Sequence, residues 1–224
     1  GEDITSSTLN TLVGGFAGRN LTTGGDNVVL GYGALVSEDT GGRNVAIGNA
    51  TLNALNNDAS SYNTAVGYAA GLSVTTGTDN TLIGGVAGDA LTDADFNTAV
   101  GTASLSSDTL GSRSTALGYG TLGSQNFSSA TDTYNVAVGH SAGNSVTTGI
   151  QNTIVGSSAG DALTDADFNV VIGYNALSAD TQGSRSVAIG RSALGSQNFT
   201  SATDTYNTAV GFNAGSSVTT GISN

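Results

Sequence analysis

The sequence predicts an all-β fold, a parallel β-solenoid of about twelve 17-residue coils, on three observations. The first is a pentapeptide of the form Asn63-Thr64-Ala65-Val66-Gly67: a polar residue, two variable ones, an aliphatic and a glycine. Its copies begin at Asn10, Asn27, Asn44, Asn63, Asn80, Asn97, Ser114, Asn135, Asn152, Asn169, Ser186 and Asn207, spaced by 17, 19 or 21 residues. Self-similarity at a short period marks a rod of stacked coils, each burying its apolar side against its neighbours. The second is the lack of a helical apolar period in a chain with 34 glycines, each of which disfavours a helix interior by about 1 kcal/mol. The third is the chemistry between copies, where Thr-Thr-Gly, Asp and Ser runs read as turns.

Each part of the coil follows from one repeated word. The fourth position is always Val, Ile or Leu and the second always Thr or Val, so these two side chains share one face of a short strand. They are expected to form the inner wall, with Thr64 and Val66 (and likewise Val138 and Val210) facing the core. The residue between them, often Ala as at Ala65, is expected to meet a close neighbour on the opposite face. A glycine closes every copy, as at Gly67, Gly139 and Gly211, and suits a tight bend or a close backbone approach. The Asn that opens ten of the twelve copies, including Asn63, Asn135 and Asn207, would stack into an amide ladder. At roughly 4.8 Å per coil the rod would be about 55–60 Å long.

A second period overlies the first. The residue four after the bend glycine alternates two by two between Gly (Gly71, Gly88) and Leu (Leu105, Leu122), giving a unit of four coils and 72 residues, about 63–134 and 135–206. Longer stretches repeat with it: Asp89–Asn97 recurs as Asp161–Asn169, and Gly123–Asn135 as Gly195–Asn207 with one Ser-to-Thr change. Once per unit an Arg precedes the pentapeptide (Arg43, Arg113, Arg185) and an acid lies five before it (Glu38, Asp108, Asp180), a spacing that predicts ion pairs.

Composition narrows the function. Five basic residues against seventeen acidic ones give a net charge of −12, with no basic stripe for nucleic acid or an anionic membrane surface. Pro, Cys, Met and Trp are absent, and no apolar run is long enough to span a bilayer as a helix. Without an initiator Met, and with Asn224 at the 17-residue step beyond Asn207, the chain reads as one repeat domain over 1–224, an excised piece of a longer fibre.

Ser186-Val187-Ala188-Ile189-Gly190 resembles the head repeat of trimeric autotransporter adhesins. Asn63-Thr64-Ala65-Val66-Gly67-Tyr68-Ala69-Ala70 is similar to the repeats of phage tail-fibre-like proteins, which often precede a self-cleaving chaperone domain. The resemblance covers essentially the whole chain. It implies a left-handed parallel β-roll, three chains to a fibre, built for surface attachment. The 17-residue spacing is longer than that of typical adhesin heads, and this sequence contains neither membrane anchor nor chaperone domain.

Other motifs are weighed against the repeat. Gly139-His140-Ser141-Ala142-Gly143 and Gly156-Ser157-Ser158-Ala159-Gly160 match the G-x-S-x-G nucleophile elbow, but the single histidine, His140, is already inside the motif. Gly118–Gly123 matches G-x-G-x-x-G without a helix to follow. No catalytic or cofactor-binding residue is therefore assigned, and the chain reads as a non-enzyme. Asp89, Asp93 and Asp95, repeated as Asp161, Asp165 and Asp167, supply the ligand type for Ca²⁺ without a known loop pattern, and otherwise serve as solvated turn residues. Thr-Thr pairs such as Thr75-Thr76 fall only every fourth coil, too sparse for an ice-binding face. The longer loops carry Tyr62, Phe127, Tyr134, Phe199 and Tyr206, candidates either for partner binding or for packing over a coil edge.

These features predict a structural and adhesive fibre segment of a phage tail fibre or bacterial surface adhesin, extracellular, self-associating as a homotrimer and attaching to a host cell-surface glycan or protein. The alternatives are a self-assembling extracellular filament subunit and a glycan-cleaving tailspike. The tailspike needs paired carboxylates in one groove.

Overall fold

The computed structural model describes residues 4–224. The fold is all-β: twelve three-residue strands, from Thr11–Val13 to Thr208–Val210, form one parallel sheet whose spatial order is the sequence order. The register is strict. Thr64, Ala65 and Val66 lie beside Thr81, Leu82 and Ile83, and every coil repeats that alignment. Where the spacing stretches to 21 residues, short pairs form between Gly111–Ser112 and Thr131–Asp132 and between Gly183–Ser184 and Thr203–Asp204. The architecture is a parallel β-solenoid of about twelve coils.

The face of the sheet is the reverse of the sequence expectation. The central strand residue is fully buried in nearly every coil, as at Val29, Ala46, Ala65, Leu82 and Ala137. Its two neighbours point outward: Val66 and Val138 are only partly covered, and Val210 is 66% exposed. Thr64 and Val66 are therefore the outer face of the roll, and Ala65 is its inner wall. The physical reason is the width of the interior. Opposite Ala65 stands a second wall whose Ala residues (Ala70, Ala87, Ala142) are equally buried; the centre is Ala in seven of twelve coils, and where it is Leu82 or Ile154 glycines (Gly71, Gly88, Gly143) make the room.

Counting the ladder Asn as the first position, bulk is supplied by the ninth and twelfth. Where the ninth is Gly, the twelfth is Leu or Val, buried in five of six coils, as with Gly88 and Leu91 or Gly143 and Val146. A methyl added at Gly88 would meet Leu91 and Leu82, both at 2.8 Å. Where the ninth is Leu, the twelfth turns polar in five of six coils: Leu35 with Glu38, Leu105 with Asp108, Leu122 with Gln125. The two-by-two alternation is thus an exchange of volume between two positions of one core, which fixes total packing rather than local identity.

The bend glycine and the ladder Asn do what their residue types allow. Bend glycines take φ between +125° and +143°, a region closed to other residues. A Cβ at Gly31 would sit 2.2 Å from the carbonyl oxygen of Gly48 in the next coil. The Asn ladder pairs side chain with backbone rather than amide with amide alone. The Asn63 Oδ1 accepts the Asn80 N–H at 2.9 Å, and the Asn63 Nδ2 donates to the Gly77 carbonyl at 2.7 Å. In this way one buried amide satisfies polar backbone groups of the following coil.

The ladder breaks at Ser114 and Ser186, and the break has a reason. Gln125 fills the space of an Asn from the other wall, donating to the Ser114 Oγ at 2.8 Å and to the Asp108 carboxylate at 2.5 Å. Asp108 also accepts the Gly111 N–H at 3.0 Å and the Phe127 N–H at 3.2 Å. Asp180, Gln197, Ser186 and Phe199 reproduce the network one unit later. Glu38 plays the same part near the first long coil, accepting the Gly41 N–H at 2.7 Å.

Candidate functional site

The outward face of the sheet is the surface that the fold singles out. Its twenty-four side chains, two from each strand, are all Thr, Val, Ile or Leu, and none of the seventeen acidic residues lies among them. In a chain of net charge −12 this is a charge-free strip running the full length of the sheet. Leu30, Ile83 and Ile172 stand among its exposed large apolar residues.

Two columns of rings border the strip. The first lies at the residue before each ladder position, which takes φ between +50° and +64° in every coil. It carries Tyr62, Phe96, Tyr134, Phe168 and Tyr206, all exposed, interleaved with Arg43, Arg113 and Arg185. The Arg113 guanidinium lies 4.7 Å from the Phe96 ring centroid, and that of Arg185 lies 4.5 Å from the Phe168 ring. Arg43 reaches the Tyr62 hydroxyl at 2.8 Å. The second column follows each bend glycine and carries Tyr32, Tyr68, Tyr119, His140, Tyr174 and Phe212. Tyr119 and His140 stack at 5.3 Å, and Arg191 sits over both Tyr174 and Phe212.

The sequence expectations distribute unevenly over this surface. Of the five aromatic candidates, Tyr62, Tyr134 and Tyr206 are on the first column, whereas Phe127 and Phe199 are buried at 6% and 8% exposure over the long-loop coils. Those two phenylalanines pack the coil edge and offer no binding surface. The expected pairing of each Arg with the acid five residues before it is also corrected. Arg113 and Arg185 pair with Asp132 and Asp204 at 3.0 Å, and Arg43 with Asp26 at 3.7 Å, while Glu38, Asp108 and Asp180 are sealed inside. Phe96, Phe168 and the second column, His140 apart, were not singled out from the sequence; their fixed offset from the pentapeptide was the available signal.

The acidic turns do not converge. Asp95 accepts the Thr78 N–H at 2.7 Å and Asp167 the Ile150 N–H at 2.7 Å, while Asp93 is engaged by Thr76 and Asp165 by Thr164. Among the described residues no group of three or more His, Cys, Asp or Glu is placed to hold a metal ion. Ser141 and Ser158 stand at corners of the coil with positive φ, and His140 is turned to Tyr119. No helix of the described chain is long and apolar enough to cross a membrane.

Burial raises the pKa of four carboxyls, Glu38, Asp89, Asp161 and Asp167, above their ordinary values of 4.5 and 3.8. The folded chain then holds protons that the unfolded chain has already released, so stability falls as pH rises from the ordinary values through the raised ones. The melting temperature is expected to rise as pH is lowered from neutrality toward the ordinary carboxyl values, and Glu38→Gln to flatten that slope. Thermal unfolding followed by circular dichroism over this range checks it; a melting temperature that falls on acidification would contradict it.

No family model, curated protein or solved structure matches the chain.

Proposed function

We propose that this chain is a structural, adhesive segment of an extracellular fibre, of the phage tail-fibre or bacterial surface-adhesin kind, and that three copies assemble it. The observation that carries the reading is the charge-free outer sheet face. Strands of three residues at ~3.3 Å per residue, stacked twelve deep at ~4.8 Å, cover about 600 Å² for the strip alone. With the bordering columns the surface roughly doubles, to the ~800 Å² or more per partner that stable interfaces bury. Seventeen of the strip's twenty-four side chains are Val, Ile or Leu, and at about 600 Å² the strip stands at the upper end of the apolar patches that monomers present. Three thin rolls turned face inward would share one dry core and leave the acidic turns and long loops outside, where they keep the fibre soluble.

In this reading the chain catalyses nothing and binds no metal. It holds attachment surfaces at fixed spacing, so that several weak contacts to a cell-surface glycan or protein act together. Negative-stain electron microscopy tests the assembly: rods about 58 Å long and three rolls in cross-section are expected, and rods one roll wide would overturn it. A filament growing end to end is the second reading. It draws on the register that repeats from coil to coil, the pairing by which one rod would continue into another. Rods in multiples of the unit length would support it.

A further inference from the structure

Four of the five rings of the first column stand level with a ring of the second, and among the described residues no ring contact within one chain joins them. Residues at the same height in the two columns are six apart in sequence. Where the first column holds Tyr62, Tyr134, Phe168 or Tyr206, the second holds Tyr68, His140, Tyr174 or Phe212. Positions without rings also coincide: Asp79 lies level with Gly85, and Gln151 with Ser157. Arg113 is level with Tyr119; the exceptions are Phe96, level with Thr102, Tyr32, level with Asp26, and Arg185, level with Arg191. Yet six residues of extended chain span about 20 Å, far beyond the ~4.5–7 Å at which rings interact. The ring contacts within the chain run along the rod, between neighbouring coils, as in Arg113 over Phe96 and Tyr119 against His140.

We infer that the columns meet between copies, the first column of one chain against the second column of the next at the same height. The partner is a second copy of this chain. Closed rotation about an axis along the rod involves no translation, so each coil faces the same-numbered coil of its neighbour. Because every strand runs in one sense around that axis, the leading edge of one sheet abuts the trailing edge of the next. Large then meets large, with Tyr62 on Tyr68 and Phe168 on Tyr174, and the cation–π ladder of Arg113 extends sideways to Tyr119. The charge-free strip provides burial and the closed rotation sets the register; the seams add Tyr62 on Tyr68 and Tyr134 on His140, which a slip of one coil would replace by Tyr62 on Gly85 and Tyr134 on Ser157. This inference rests on the proposed self-assembly and adds which side chains touch and at what offset.

The seven tyrosines make the seam testable in the unmodified protein. Tyr62 and Tyr68 are the one Tyr–Tyr pair placed in contact by zero offset; within a chain no two tyrosines occupy neighbouring coils of one column. Ruthenium-sensitised photo-oxidation of the intact chain is expected to yield covalent dimers and trimers through a Tyr62–Tyr68 dityrosine, identified by peptide mapping. Tyr62→Phe is expected to lose these products while its sedimentation mass stays that of the parent. An assembled protein that gives no dityrosine, or links other tyrosine pairs first, would overturn the seam and leave the assembly standing. A protein that sediments as a monomer would overturn the assembly itself.

Discussion

Val100→Asp is expected to dissociate the assembly while leaving the coil folded. Val100 is a partly covered residue on the outer face of the strand Thr98–Val100, next to the buried Ala99. As a monomer the variant would lose little, because its new carboxylate stands in water. In the trimer three carboxylates would face one another around the axis with no cation in the strip to pair them. Like charges so juxtaposed cost several kcal/mol, which weakens association by about a thousandfold. Sedimentation velocity at micromolar concentration should show the variant as a monomer with a parent-like circular dichroism spectrum. Val100→Thr, which copies the residue type of the neighbouring column, should assemble normally. An aspartate variant that sediments with the parent would show that the face is not an interface.

Asp108→Ala is the second large effect, and it acts on the fold rather than on the assembly. The Asp108 carboxylate is fully buried and receives the Gln125 amide and the backbone N–H groups of Gly111 and Phe127. Its removal strands three buried donors and frees the long loop after Leu122, at a cost of about 3–5 kcal/mol. Chemical denaturation should report that loss, and amide exchange should place it in residues 123–133. The equivalent Asp180→Ala should do the same one unit later. A variant within about 0.5 kcal/mol of the parent, as for an ordinary surface change, would mean that the network is dispensable.

The coil count, the bend glycine and the Asn ladder were legible in the sequence, because each depends on a residue type repeated at a fixed offset. The inside and outside of the strand were not. A three-residue strand offers one alternation, so a single-residue shift of reference reverses every side chain. The aliphatic pair Thr64 and Val66 carries more apolar surface than Ala65, and ordinary burial preferences would seat it inside. The structure inverts this: the strand centre takes Ala in seven of twelve coils, and Leu82 and Ile154 where glycines stand beside them, while the outer pair faces away from the core. The small central residue, matched by a second small wall at Ala70, was the clue.

The long loops show the same limit. Phe127 and Tyr134 belong to one insertion, yet one ring closes the coil edge and the other joins the exposed column. Sequence position sorted them only through the offset from the ladder residue. Likewise Asp108 lies five before its Arg-led repeat as an ion pair would require, but the twelfth position of the coil points into the core. Its charge is met by backbone N–H groups and an amide, and Arg113 turns to Asp132 on the surface.

The most direct test is the molar mass of the intact chain by sedimentation equilibrium across a concentration series. A mass three times the 21.9 kDa of one chain, constant over the series, is the predicted result. A folded species of 21.9 kDa at every concentration would contradict the account, since the charge-free face would then stand open to water in a stable monomer.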